Sequence, residues 1–238
     1  MANYSSDQII VSCEHGGREI PADFAALFAA GDGVLDSHRA WDAGSAELAE
    51  QLGVALRVQP VIARVTRLLV DLNRSPGHPR QFSEFSRAQS SEVREEILQN
   101  YYRPHRERVE RMVGEAVRAS GRALHISVHS FTPSLNGEAR RADVGLLYDP
   151  KRATECQLCE HWGKTLRGSR PDLIIRRNYP YRGVSDGLTT FLRKRFSNCR
   201  YQGIELEVNQ SWTDGSPETW RGLARWLAAA SRTALLGR

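Results

Sequence analysis

The segment His125-Ile126-Ser127-Val128-His129 sets two imidazoles in a β-branched run that stops at Ser130-Phe131-Thr132-Pro133. Side chains alternate across a strand with a period of two, so His125, Ser127 and His129 share one face. A neutral imidazole can ligate a metal or accept a proton, and open α/β sheets keep their chemistry at the carboxyl ends of strands. Ile9-Ile10-Val11-Ser12 repeats the design and runs into Cys13-Glu14-His15-Gly16-Gly17. Two strand ends carrying histidine predict a metal site assembled between neighbouring strands. A metal above the end of the second strand reaches His129 alone, which leaves His125 as core or support. The glycines after His15 are expected to let a ligand or substrate approach the main chain.

Glu205 and Glu207 share a face of the otherwise apolar run Gly203–Val208. A carboxylate there is costly unless it is paired, hydrogen-bonded or poised to take a proton. One such acid beside a metal is the expected general base of a metal-dependent hydrolase. Three protein ligands with one open position would be the zinc arrangement for that work. Asp71-Leu72-Asn73-Arg74 offers a guanidinium and an amide, suited to two-point capture of a carboxylate, or else an arginine paired with Asp71. Asp42, taken alone, complements the N-terminus of the helix it is expected to open. No Gly-x-Ser-x-Gly elbow, phosphate loop or dinucleotide glycine motif competes with this chemistry.

Alternating strands and helices must position these groups. Strands are expected at about 8–13, Val58–Ala63, Leu68–Leu72, 124–130, Val144–Tyr148, Leu173–Ile175 and Gly203–Val208. Helices are expected from about Trp41 to Leu52, Ser91 to Ser120 with a kink or break at Pro104, 153–168, 188–196 and Pro217 to Leu236. Residues 78–90 read as a polar loop lying over something. The alternation predicts one domain over residues 1–238, with a largely parallel sheet and helices on both faces.

Composition narrows the class. A chain of 238 residues with 40% hydrophobic and 26% charged residues is ordinary for a globular enzyme. No apolar run is long enough for a membrane span, and the start lacks a secretory pattern, so the cytoplasm is the expected compartment. The net charge of +5 comes from arginine, which suits an anionic small substrate. Those arginines are scattered and rarely interleave with aromatics, so nucleic acid is not an expected partner. Cys156-x-x-Cys159 lacks a second pair and reads as two thiols on one helix.

Several short segments recur together in a known order. They are Ser12–Gly17 with Ile20-Pro21, Trp41-Asp42-Ala43-Gly44, Arg67 with Asp71–Arg74, and His129–Pro133. Val144–Asp149, Asn178-Tyr179-Pro180-Tyr181 and Glu207-Val208-Asn209-Gln210 follow. Through them the chain, over about residues 9–210, resembles the N-formylglutamate amidohydrolase family. That family is similar to the zinc-dependent exopeptidases, which implies a three-layer α/β/α sandwich around a mixed, largely parallel sheet. The resemblance also implies one Zn2+ per chain, with His15 and His129 as ligands and Glu207 as the base that activates water. It gives Asn73 and Arg74 the substrate carboxylate, puts Asn178 and Tyr181 with the substrate, and lets Arg67, or less readily Arg64, polarise the scissile carbonyl.

One departure stands out. The exopeptidases use His-x-x-Glu, whereas Arg18 stands three residues after His15 and the acid is Glu19. Asp42, Glu14 or Glu19 could supply the third ligand; Asp42 is chosen because its Trp-Asp-x-Gly segment recurs in the family. The implied reaction converts N-formyl-L-glutamate to formate and L-glutamate. Glu-His-Gly in place of Pro-His-Ser at the first motif leaves open another N-acyl amino acid or small peptide. A non-catalytic carboxylate-binding protein is the alternative from another class.

Overall fold

The apolar runs form the strands of the computed structural model, which describes residues 3–29, 31 and 33–237. In chain order they are β1 (Ile9–Cys13), β2 (Val61–Ile62), β3 (Ala123–Phe131), β4 (Ser134–Leu135), β5 (Glu138–Ala139), β6 (Val144–Leu147), β7 (Ile175–Arg177) and β8 (Tyr201–Asn209). The helices are α1 (Ser45–Leu56), α2 (Ser91–Ile97), α3 (Arg103–Ser120), α4 (Ala153–Ser169), α5 (Leu188–Arg195) and α6 (Pro217–Leu236). Six strands make one sheet in the order β2-β1-β3-β8-β6-β7, and β4 pairs with β5 in a separate hairpin. β2, β1, β3 and β8 run parallel, while β6 lies antiparallel to β8 and parallel to β7. The sheet is therefore mixed and largely parallel, as expected.

Strand alternation sorts the two faces. Leu124, Ile126 and Val128 join Val11 and Leu206 in a core under α1, α4 and α6. Leu48, Leu52 and Leu56 of α1, at helical spacing, are fully buried there; each contributes about 2 kcal/mol by leaving water. The opposite face packs Ile10, Val61 and Tyr201 against Val109 and Val113 of α3 and Leu188 and Leu192 of α5. This completes the α/β/α sandwich. On that second face the carboxyl ends of β1, β3 and β8 carry polar rather than apolar side chains, and the site begins there.

Several boundaries differ from expectation, each for a local reason. The Leu68–Leu72 run is a turn rather than a strand. Its leucines are buried in a satellite core with Phe24, Phe28, Ile97 and Tyr102, so tertiary burial rather than pairing uses the apolar pattern. Of Val58–Ala63 only Val61 and Ile62 pair. Helix α1 starts at Ser45 rather than Trp41 because Ser45 N–H and Oγ–H both donate to the Asp42 carbonyl, closing a turn. The 91–120 helix runs on through a π-helical turn at Leu98–Tyr102 just before Pro104, and the wider turn accommodates a residue with no N–H to donate. The 78–90 loop lies over the satellite core, with Phe85 stacked on Phe28 at 4.9 Å.

Gly17 has a different use from the one expected. A Cβ there would sit 2.1 Å from the Arg64 carbonyl oxygen, so the glycine lets the His15 loop pack against the 62–66 segment. The close approach at Gly17 is by the chain itself.

His125 is a satisfied interior histidine, 2.7 Å from Ser12 Oγ through Nε2 and 2.9 Å from Tyr201 Oη through Nδ1. Burial pushes its pKa down from 6.5 to about 4, with Glu14 opposing and nearby cationic groups adding. The unfolded chain therefore binds a proton that the folded one refuses between those values. The stabilisation is complete above pH 6.5 and is lost as pH falls toward 4, by about 3 kcal/mol. The unfolding midpoint should fall across this window, and less so in His125→Gln. Parallel curves for the two proteins would refute the assignment.

Candidate metal centre and active site

Three buried side chains from different segments converge at the carboxyl edge of the sheet. One donor atom each from His15, Asp42 and His129 lies within 4.8 Å of the others. His15 follows β1, and His129 is the third polar residue on its face of β3. Asp42 is drawn in because its N–H donates to the His15 carbonyl at 2.9 Å. Both rings present Nδ1 to one oxygen: Asp42 Oδ2 is 3.4 Å from His15 Nδ1 and 2.8 Å from His129 Nδ1. Burial works against the Asp42 charge, yet His15, His129 and Arg67 hold its carboxyl far below the usual carboxylate range.

The far side of each ring also meets an acid. His15 Nε2 is 2.8 Å from Asp71 Oδ1, and His129 Nε2 is 3.2 Å from Glu14 Oε2. Metal-ligating histidines characteristically donate their second ring N–H to such a carboxylate. Two imidazoles and one carboxylate are a donor set that suits a divalent metal ion. Of the three acids considered for that ligand, Asp42 alone faces both Nδ1 atoms. Glu14 lies behind His129, and Glu19 is exposed.

Glu207 is the register partner of His129 on the neighbouring strand. It is 4% exposed, and among the described residues its Oε2 has no hydrogen-bond partner. Burial pushes its carboxyl up to about 8, with Asp42 and Glu205 adding while His129 and Arg67 oppose. Gly145 of β6 lies opposite, where a Cβ would clash with the Tyr179 carbonyl at 2.1 Å, so the 178–181 loop closes against this strand.

Arg67 donates from Nη1 to Asp42 Oδ1 (3.2 Å) and from Nη2 to Asp71 Oδ2 (2.7 Å). Burial opposes its charge, but Asp71 and Asp42 raise its pKa above the usual range. Arg64 instead pairs with Glu50 at the surface. Asn73 and Arg74 line the same cleft, which has a volume of about 490 Å³. Asn73 Oδ1 accepts from Leu188 N at the start of α5, and Arg74 Nη1 donates to the Asp186 carbonyl. Tyr181 reaches the cleft wall, with Arg140 stacked 4.8 Å from its ring. Asn178 does not. Its Oδ1 accepts from Tyr148 N and Gly183 N, so it ties the loop that carries Tyr181 instead of facing the cleft.

Other participants come from α3 and the π-helical turn before it. Arg106 Nη1 donates to the Leu72 and Arg74 carbonyls, and its guanidinium lies 4.6 Å from the Phe191 ring centre. Tyr102 Oη–H donates to the Arg74 carbonyl at 2.7 Å. These contacts hold the Asn73-Arg74 turn from beneath. The sequence signal was available: Tyr102, His105, Arg106, Val109 and Val113 form the inward stripe of a helix, and charged groups on such a stripe need partners. Arg80 and Arg182, at the cleft's rim, carry no local pattern that would single them out.

Fold and site together define an α/β/α protein of the mixed-sheet kind, with buried polar groups gathered at the carboxyl edge of its parallel strands. The N-formylglutamate amidohydrolase family model matches residues 7–212; the chain belongs to that family, and it is a hydrolase by that membership. A gene product of Agrobacterium tumefaciens has a similar crystal structure, with a TM-score of 0.79, 26% identity, and 95% of this chain and 90% of that one covered. The N-formylglutamate amidohydrolase from Ralstonia eutropha shares the fold at a TM-score of 0.69 and 19% identity, with 95% and 92% covered. A comparison with curated proteins gave no match. No helix among the described residues is long and apolar enough to cross a membrane.

Proposed function

We propose that the chain is a zinc-dependent amidohydrolase that cleaves the amide bond of an N-acyl acidic amino acid such as N-formyl-L-glutamate, releasing formate and L-glutamate. His15, Asp42 and His129 would hold one zinc ion. The observation that carries the reading is the convergence of two Nδ1 atoms on one Asp42 oxygen beside the Glu207 carboxyl, whose Oε2 has no hydrogen-bond partner among the described residues.

When bound, such an ion supplies Lewis acidity to a carbonyl and makes water more acidic. Glu207 accepts the proton of the attacking water and returns it to the departing nitrogen. Arg67 spends two of its five N–H donors on Asp42 and Asp71, leaving others for the oxygen that becomes negative. Asn73 keeps its Nδ2 donor while Oδ1 is committed to Leu188, and Arg74 supplies charge for a substrate carboxylate. Arg80 and Arg182 at the rim extend this positive lining toward a second carboxylate. The substrate partner in this reading is small and anionic, and the compartment is the cytoplasm.

A panel of N-formyl and N-acetyl amino acids, assayed on protein whose metal content is measured, tests the proposal. Stoichiometric zinc and chelator-sensitive release of formate, fastest from N-formyl-L-glutamate, are expected. Preference for another acyl group or a short peptide would redirect the substrate within the same chemistry. Binding of acidic amino acids without zinc or turnover would replace the enzyme by a binding module.

A further inference from the structure

Glu14 is fully buried, and the proposed reaction does not use it. A carboxylate in that position needs compensation, and every polar neighbour supplies some. Its Oε1 lies 3.3 Å from His105 Nε2 of α3, its Oε2 accepts from Ser127 Oγ at 2.5 Å, and the same oxygen is 3.2 Å from His129 Nε2. Ser127 Oγ is also 2.9 Å from that Nε2.

These contacts fix direction as well as position. A serine hydroxyl has one proton. With that proton given to Glu14, Ser127 can only accept at His129, so Nε2 keeps a hydrogen. Nδ1, 2.8 Å from Asp42 Oδ2, is then the nitrogen left to give up its proton to a metal. Glu14 and Ser127 thus act together on one ring nitrogen, and His105 anchors the acid from the opposite side. Asp71 stands in the same relation to His15, with Arg67 and its own Asx turn to Asn73 N as anchors.

We propose that Glu14, acting with Ser127, is the positioning carboxylate that sets the tautomer and orientation of His129 for metal binding. The inference rests on the zinc reading above. Glutamine at position 14 keeps the volume but loses the charge-assisted acceptor for the serine proton. Ser127 is then free to donate to Nε2, which moves the ring hydrogen to Nδ1 and blocks ligation.

Zinc affinity measured by competition with a chromophoric chelator, together with the visible spectrum of the cobalt-substituted protein, tests this. Loss of such an outer partner costs roughly 10- to 100-fold in affinity. Glu14→Gln should show that loss and an altered cobalt spectrum, with Glu14→Asp losing less. A purely structural role would lower the unfolding midpoint of the metal-free protein while leaving affinity and spectrum unchanged, and that result overturns the proposal with the zinc reading intact. A wild-type protein that takes up no zinc overturns both. Should Glu14→Gln fail to fold, Ser127→Ala carries the test, since it keeps the acid and removes the proton that sets the tautomer. A severalfold loss of affinity is expected, and wild-type affinity with an unchanged spectrum would count against the proposal.

Discussion

Replacing Glu207 by glutamine should lower kcat by about 100- to 10,000-fold while zinc content stays at the wild-type level. Glutamine keeps the size of the side chain and one carbonyl oxygen but cannot accept a proton. The carboxyl is buried, lacks a partner for Oε2 among the described residues, and is pushed up to about 8, largely by burial. In the metal-free protein a group so placed exchanges protons close to neutral pH, which an exposed glutamate does not. It stands outside the His15, Asp42 and His129 cluster, so metal occupancy should not depend on it. KM should change little, because the group is needed after the substrate is bound. Steady-state kinetics on N-formyl-L-glutamate, with metal analysis of the same sample, reads both quantities. Near-normal turnover would remove Glu207 from the mechanism.

The two histidine strands and the β8 acids were legible because period-two alternation and the cost of a buried carboxylate are properties of short segments. Their pairing was not: a Ser-x-His on one strand and a Glu-x-Glu on another meet only because the strands are adjacent and in register, as Ser127 with Glu205 and His129 with Glu207 are. The Leu68–Leu72 segment misled for a related reason. Its pattern reports burial, and burial against Phe24 and Tyr102 leaves the same signature as burial in a sheet. Asn178 misled because a motif position does not say which way an amide points; here it faces two backbone N–H groups. The stripe they share with Val109 and Val113 turns Arg106 and His105 inward, but it does not say what they meet. What makes them part of the site is the packing of α3 against β1 and β3, a long-range fact that no local window contains. The position of Glu14 behind His129, rather than beside Asp42, needed the ring orientations themselves.

Those orientations carry the second large prediction: Asp42→Asn should cost more zinc affinity than the roughly 10- to 100-fold typical of an outer hydrogen-bond partner. Asp42 Oδ2 is the only carboxylate oxygen near both Nδ1 atoms in the contacts among described residues. Glu14 cannot replace it, because it faces Nε2 of His129 and a metal held there would leave His15 out. The metal-free protein should lose stability as well. Removing one partner of a buried charge pair costs about 3–5 kcal/mol. The loss should be smaller here, because Asp71 still serves Arg67 and His15, Glu14 still serves His129, and asparagine keeps an oxygen for Arg67 Nη1. Chelator competition reads the first effect and the unfolding midpoint of the stripped protein reads the second. The variant at position 207 supplies the control that decides between acids. If Asp42→Asn kept full zinc affinity and Glu207→Gln lost it, the β8 acid would be the ligand. The proton acceptor would then have to be sought at Glu205, whose Oε1 is held by Thr189 and which lines the same cleft.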